Sequence, residues 1–581
     1  MPETPNPARW SRLVTAACAA APGLLLGTQI GGLLFFLNPD LPFSAASVTR
    51  ALLTYAPRGA AGSLVLILPW TWNRPARARR LLPWSLAVVL AMAAGLAAGH
   101  ASHFAYYLPA GINRRLLKAA LWFALGALAC FYTALLHTLH RRSYGWRSRL
   151  GLTLVVLASV YAMIERREAF RSSPPISARP AGIEAHGHPR LLVVGLDTAT
   201  LDAVLPLAEQ GQLPVLHRLL RSGASVRLAA PRPSRRLPLW TTLATGKYPY
   251  EHGLVSGWIY AASPFGPTPA LKLLPEGVAF RSWGTSAGPP QRLDGSARRA
   301  QPLWRILARQ GLAVRVVSWP GSYPADPLLR YCFSDRFFEG VGGGPPAVVP
   351  ESLGDPARRL RAEVGEIPNE LRARLGGRVP PAVLRAVAHD LWRERVAVNF
   401  GQPGELDADF VFLGGLFDVS RELYGGFAAA QFEGSNARDA QDAAQLLSTY
   451  YSFLDGLLGE LVARAQGAGP TLVAVVSAYG AESPGPWNSA WRHLAGENLV
   501  AGEVENGADG LLVVAAAGVR SGPVRGAARI VDVVPTLLYA SGFPVANDME
   551  GRVLTEMFEA DFLAGQPLTF LTSYETPEPP R

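Results

Sequence analysis

The sequence predicts an α-helical membrane bundle of about five spans followed by an α/β sandwich. Three observations carry this reading. The first 165 residues are dominated by long apolar stretches, each close to the ~20 residues that cross about 30 Å of hydrocarbon. The basic excess lies in the same part: residues 1–187 hold 19 Lys and Arg against 5 Asp and Glu, leaving 36 and 39 of the chain's 55 and 44 for the rest. After residue 189, short continuous apolar runs alternate with helical patterns, as expected of a sheet covered on both faces.

The predicted spans are residues 13–37, 52–72, 83–107, 117–138 and 148–165. The second is the weakest, because Arg58 interrupts it unless the side chain snorkels to the interface. Arg9 and Arg12 precede the first span, Arg74, Arg77, Arg79 and Arg80 follow the second, and Arg141, Arg142, Arg147 and Arg149 follow the fourth. The positive-inside rule then puts the N-terminus and both Arg-rich loops in the cytoplasm. Five crossings deliver everything after about residue 166 to the outside, although Arg166, Arg167 and Arg171 weigh mildly against it. A cleaved signal peptide fits poorly, since the first apolar run is long and further spans follow. Cys18, Cys130 and Cys332 are too few for a disulfide framework and read as small buried hydrophobes.

Four domains follow: 1–170 transmembrane, 171–188 a Pro/Ser/Gly-rich linker, 189–565 the α/β domain, and 566–581 a C-terminal tail. In the α/β domain LLVVGLD, AVRVVSW, DFVFLGGL, TLVAVVSAYG and GLLVVAAAG read as strands between helical stretches. Residues 295–405 are rich in Pro, Arg and Gly and read as holding surface insertions. With a slightly acidic balance, this part offers no electrostatic footprint for nucleic acid.

Four segments, in order, carry a family resemblance: VVGLDTAT, LWTTLATGKYPYEHG, PLWRILARQGLAVRVVSWPGSYP and ARIVDVVPTLLYASGFPVANDMEGRVL. Residues 189 to 558 resemble the type I phosphodiesterase/nucleotide pyrophosphatase branch of the alkaline phosphatase superfamily, which implies an alkaline phosphatase-like α/β/α sandwich. The resemblance also implies two divalent metals, typically zinc, that clamp the attacking and leaving oxygens at phosphorus, with a Thr or Ser nucleophile. Carried over position by position, the resemblance assigns Asp197 and Asp418 to carboxylate ligands. It puts Arg236 at the nucleophile, Glu422 at a His ligand, Ala478 and Tyr479 at an Asp-His pair, and Asn506 at the last His. A guanidinium stays protonated and cannot be a nucleophile.

Each surviving residue has a plainer reading. Asp197 before ATLDAVL suits a helix N-cap, Asp418 a solvated loop, and Glu422 an exposed helix position. His252 reads as part of its turn, and His217, His389 and His493 as surface residues. Ser234 lies near the nucleophile position but has no base beside it in sequence.

The resulting expectation is a membrane-anchored pseudoenzyme with no metal cofactor. Its large domain lies outside the cytoplasmic membrane and binds a lipid headgroup, an envelope glycan or a protein partner. The alternative is a metal-dependent phosphohydrolase or phosphotransferase with a rebuilt site on Asp418, Glu422 and Asn506. Arg236 is expected to pair with Asp197 or Asp418, supplying the positive charge that metals would otherwise bring.

Overall fold

A computed structural model describes residues 7–72, 74–164, 188–262, 270–285, 288–339, 344–364, 372–373, 375, 379–402, 404–427, 437–483 and 502–575. The predicted linker falls almost wholly outside them. The chain divides into two compact units, residues 1–172 with 258–293, and residues 173–257 with 294–581.

Among the described residues, the first unit holds five long helices: α1 (Pro7–Leu37), α2 (Ala45–Thr71), α3 (Pro75–His103), α4 (Ala110–Leu139) and α5 (Trp146–Ile164). The first four are long and apolar enough to cross a membrane. Among them is α2, despite Arg58 within it. The fifth, at 19 residues, is about 28 Å long at 1.5 Å per residue. It runs from the Arg-rich end of α4 toward the far end of α1, where Met163 packs so closely on Gly32 that a Cβ there would lie 2.8 Å from Met163 Cβ.

Residues Trp258–Leu293 belong to this unit, which corrects the expectation of one uninterrupted domain from 189. Their partners explain why. Asn38, just past α1, accepts from the amides of Lys272 and Leu273 at 2.7 and 3.0 Å and donates to the Leu273 carbonyl at 2.8 Å. The Tyr55 hydroxyl donates to the Gly284 carbonyl at 2.9 Å, and the Glu276 amide to His100 Nε2 at 2.7 Å. Phe280, Leu271 and Ala262 complete an apolar core with Ile30, Leu34 and Tyr55. All these helix residues lie toward the end where α1 and α3 finish, opposite the Arg-rich ends.

The second unit is built on a nine-stranded sheet. In spatial order its strands are Gly522–Arg529, Ala224–Ala229, Gly510–Ala515, Thr471–Ser477, Arg190–Leu196, Ala408–Leu413, Val314–Val317, Tyr331–Phe333 and Val348–Val349. Thr471–Ser477, Arg190–Leu196, Ala408–Leu413 and Val314–Val317 run parallel. Their residues are buried almost throughout, which matches their unbroken apolar runs. Because the strands are parallel, their C-terminal ends share one edge, where the crevice of an open α/β sheet forms. Residues 295–405, expected to hold surface insertions, also supply three sheet strands and the helix Pro381–Asn399.

The expected tail from 566 is also corrected. Phe570–Leu571 pairs with Val545–Ala546, and the buried Tyr574 donates to the Pro544 carbonyl at 2.7 Å, so the folded unit reaches at least residue 575.

Candidate functional site

Three adjacent strands deliver the site. Asp197 follows Arg190–Leu196, Gly414 follows Ala408–Leu413, and Ala478 and Tyr479 follow Thr471–Ser477. Register fixes their alignment, with Leu196 opposite Leu413 and Gly195 opposite Val476. Gly195 admits the rings behind the site: a Cβ there would sit 2.9 Å from both Trp240 and Phe412.

The expected N-cap role does not fall to Asp197. Thr200 caps the helix Leu201–Glu209, its hydroxyl accepting from the Ala203 amide at 3.1 Å. Asp197 is instead fully buried and faces the cleft side of the helix Arg236–Thr245. Its Oδ1 accepts from Trp240 Nε1 at 2.9 Å, and its Oδ2 lies 2.6 Å from Arg236 Nε. The latter is a close ion pair without a well-aligned hydrogen bond. The next residue, Thr198, holds φ 67°, a conformation that is strained for a β-branched side chain and found mostly at functional sites.

Arg236 opens its helix, a place where the helix dipole disfavours a cation. Asp197 offsets that cost. The guanidinium also donates to the Gly414 carbonyl at 3.3 Å and lies over the rings of Phe412 and Phe417, 5.4 and 5.0 Å from their centroids. Its side chain keeps 38% of its surface accessible while Asp197 keeps none, so the cation stands between the buried carboxylate and solvent. Burial pushes the Asp197 carboxyl above the usual carboxylate range, although Arg236, Trp240 and Tyr479 favour its charge. Burial also works against Arg236, but Asp197, then Tyr479 and Asp418, outweigh it and hold the guanidinium above its ordinary value.

Asp418 lies near enough to act electrostatically on both members of this pair, yet it is exposed, in the first turn of the helix Gly415–Phe427. A carboxylate is favoured there by the helix dipole alone. That helix is held by a residue that no motif or spacing singles out. The buried Asp390 accepts from the Gly415 amide at 3.2 and 3.1 Å, from the Tyr450 hydroxyl at 2.7 Å and from Arg393 at 2.5 Å.

Glu422 is half-buried one turn beyond Asp418. Asn506 is exposed and donates to Glu503 at 2.9 Å. Ala478 and Tyr479 are wholly buried, and the Tyr479 hydroxyl adds to the groups favouring charge on Asp197. Ser234 donates its hydroxyl to the Pro231 carbonyl at 3.0 Å. His252 is structural: it accepts from the Leu254 amide at 3.2 Å, so its other nitrogen donates to Thr242 at 3.0 Å. His217 is exposed. His389, expected at the surface, is half-buried and stacks on Phe338 with centroids 5.8 Å apart. Burial, and then Arg393, lower its pKa. His493 lies outside the described residues.

Of the seven positions, the structure thus joins Arg236 directly to Asp197, with Tyr479 and Asp418 close by, and ties Asn506 to Glu503 instead. The described residues at this site do not fit a pair of divalent metals. Among the described residues no group of three or more His, Cys, Asp or Glu is arranged to hold an ion, and a guanidinium stands against the first candidate carboxylate. Trp240 was legible in principle, since it lies four residues after Arg236 and so on the same helix face. Asp390, an acid inside the stretch VLRAVAHDLW, carried a weaker signal.

The chain is similar to several solved structures. A phosphonoacetate hydrolase from Sinorhizobium meliloti is 18% identical with a TM-score of 0.30, over 51% of this chain and 57% of that one. A phosphonate monoester hydrolase from Silicibacter pomeroyi is 14% identical with a TM-score of 0.38, over 64% and 76%. The murine ectonucleotide pyrophosphatase/phosphodiesterase 5 is 13% identical with a TM-score of 0.38, over 64% and 100%. No curated protein matches the chain. The family model "Type I phosphodiesterase / nucleotide pyrophosphatase" matches residues 191–490, just over half of the chain and seven of the nine strands of the sheet just described. The chain belongs to the type I phosphodiesterase/nucleotide pyrophosphatase family.

Proposed function

We propose that this protein is a membrane-anchored, extracytoplasmic member of its family that has lost catalysis and keeps the cleft for binding in the cell envelope. The observation that carries this is the Arg236–Asp197 ion pair. The guanidinium sits where the family resemblance puts a nucleophile, pressed against what would be a metal-ligating carboxylate. A fixed cation there answers the buried negative charge, and a divalent ion beside it would be repelled. The nearby hydroxyl of Ser234 does not replace the nucleophile, since it is spent on a carbonyl. An exposed Asp418 and a cationic wall lined by Phe417 suit recognition of a polar ligand rather than its cleavage.

The extracytoplasmic placement draws on charge. The Arg-rich loops lie at one end of the helices, and residues 258–293 bind the other end, where Asn38, His100 and His103 stand. The test uses the full chain in detergent. Hydrolysis of bis(p-nitrophenyl) phosphate with added zinc or manganese is expected to equal that of Asp197→Ala, and an alkaline phosphatase reporter after Arg581 is expected to be active. Turnover abolished by Asp197→Ala contradicts the loss of catalysis, and a silent reporter contradicts the placement.

A further inference from the structure

A second recess lies in the first unit, far in sequence from the cleft. Both α2 and α3 pack along α1 but hardly touch each other. The gap is a cavity of about 760 Å³ lined by Leu26, Leu66, Val88 and Met92, with Arg58 and Trp283 also on its wall. Its flanks are open: Leu66, Val88 and Met92 are 73%, 58% and 49% exposed. In a bilayer this is an apolar slot facing acyl chains, of the width left when two helices diverge from a third.

One charged group lines it. Arg58 stacks over Tyr55, 5.5 Å from the ring centroid. Tyr55 is itself fixed, through its hydroxyl, to the Gly284 carbonyl. Trp283 packs edge-on against Tyr55 with centroids 6.0 Å apart, so the inserted segment holds the guanidinium's platform in place. The described residues offer Arg58 no ion-pair partner. An uncompensated cation within a membrane span is costly and is retained for a ligand or a functional partner.

Depth identifies the ligand. Counting ~20 residues of α2 back from Trp72, at the end bearing the Arg cluster, puts the opposite interface near residue 52. Arg58 then lies about 9 Å inside it, at 1.5 Å per residue, within reach of the phosphate level by snorkelling. From Arg58 the slot continues along Gly62 and Leu66 toward the bilayer centre. A cation at the headgroup end and an apolar slot below it match a phosphate ester carrying an acyl chain.

We propose that this groove binds one anionic phospholipid from the leaflet on the side of the inserted segment, its phosphate paired with Arg58 and one acyl chain laid between α2 and α3. The site is separate from the Arg236 cleft and does not depend on whether that cleft is catalytic.

Native mass spectrometry of the full chain, released from micelles with equal phosphatidylglycerol and phosphatidylcholine, tests it. The wild type is expected to retain one phosphatidylglycerol over phosphatidylcholine by about five-fold, the size of one basic residue's attraction to an anionic lipid surface. Arg58→Lys should keep that preference and Arg58→Ala should remove it. Gly62→Trp should remove retention of both lipids, since nothing lies within 4 Å of a Cβ at Gly62 and the ring can fill the slot. Equal retention of the two lipids by the wild type overturns the proposal, as does a preference that survives Arg58→Ala or retention that survives Gly62→Trp. If Arg58→Ala does not fold, Arg58→Lys and Gly62→Trp decide the matter alone.

Discussion

Two buried aspartates stand near the ends of the same strands, and they are held in different ways. Asp390 has every side of its carboxylate engaged: a backbone amide, a tyrosine hydroxyl and an arginine, on three separate segments. Asp197 has one good hydrogen bond, from Trp240, and one close but poorly aligned arginine that is open to the cleft. Full engagement of this kind marks a structural charge around which the fold is built. The looser arrangement at Asp197 fits a site whose original partner has been replaced. On the proposed reading, a carboxylate that would face a small ion is answered here by a large planar cation, which reaches it over two phenylalanine rings.

That contrast predicts unequal mutational effects. Asp390→Ala should cost about 3–5 kcal/mol, because it strands Arg393 and a helix N-terminus in the interior. Asp390→Asn should cost less, since it can still accept from the Gly415 amide. Chemical denaturation of the full chain, followed by a signal from the second unit, checks both. Equal losses for the two variants would mean that the hydrogen bond from the Gly415 amide is not what holds the helix.

Arg236→Ala should cost less, about 1–3 kcal/mol, because the half-buried side chain leaves the pair partly screened by solvent. Its cost should also depend on pH. Burial has already raised Asp197 above the ordinary carboxylate range, and removing Arg236 raises it further. A carboxyl with a raised folded-state pKa contributes stability that is complete below its unfolded value and is lost as pH rises through the folded one. The penalty of Arg236→Ala should therefore grow from pH 5 to pH 8. A penalty that shrinks over that range would show that Asp197 does not rely on this cation.

The same contrast marks what was legible in the sequence. Strands such as Arg190–Leu196 and Thr471–Ser477 were plain, because a sheet covered on both faces demands unbroken apolar runs. The position of Arg236 was legible too, since it follows from a short count back from Thr245 and Gly246 along one helix. Tertiary partners were less accessible. Asp390 meets Tyr450 across 60 residues, and nothing local reports such a pairing. The inserted segment was hidden for a related reason: Asn38 captures Leu273 across 235 residues, while residues 258–293 carry no apolar run long enough to announce a membrane-side role. Thr200, rather than Asp197, as the helix cap was a choice between two good capping residues that only geometry could make.

The central claim is that a guanidinium has taken the place of a metal against Asp197. Isothermal titration of zinc into the metal-stripped full chain in detergent tests it most directly, with Asp197→Ala run alongside. The wild type is expected to show no saturable binding beyond that of the variant. One zinc bound per chain, lost in Asp197→Ala, would contradict it.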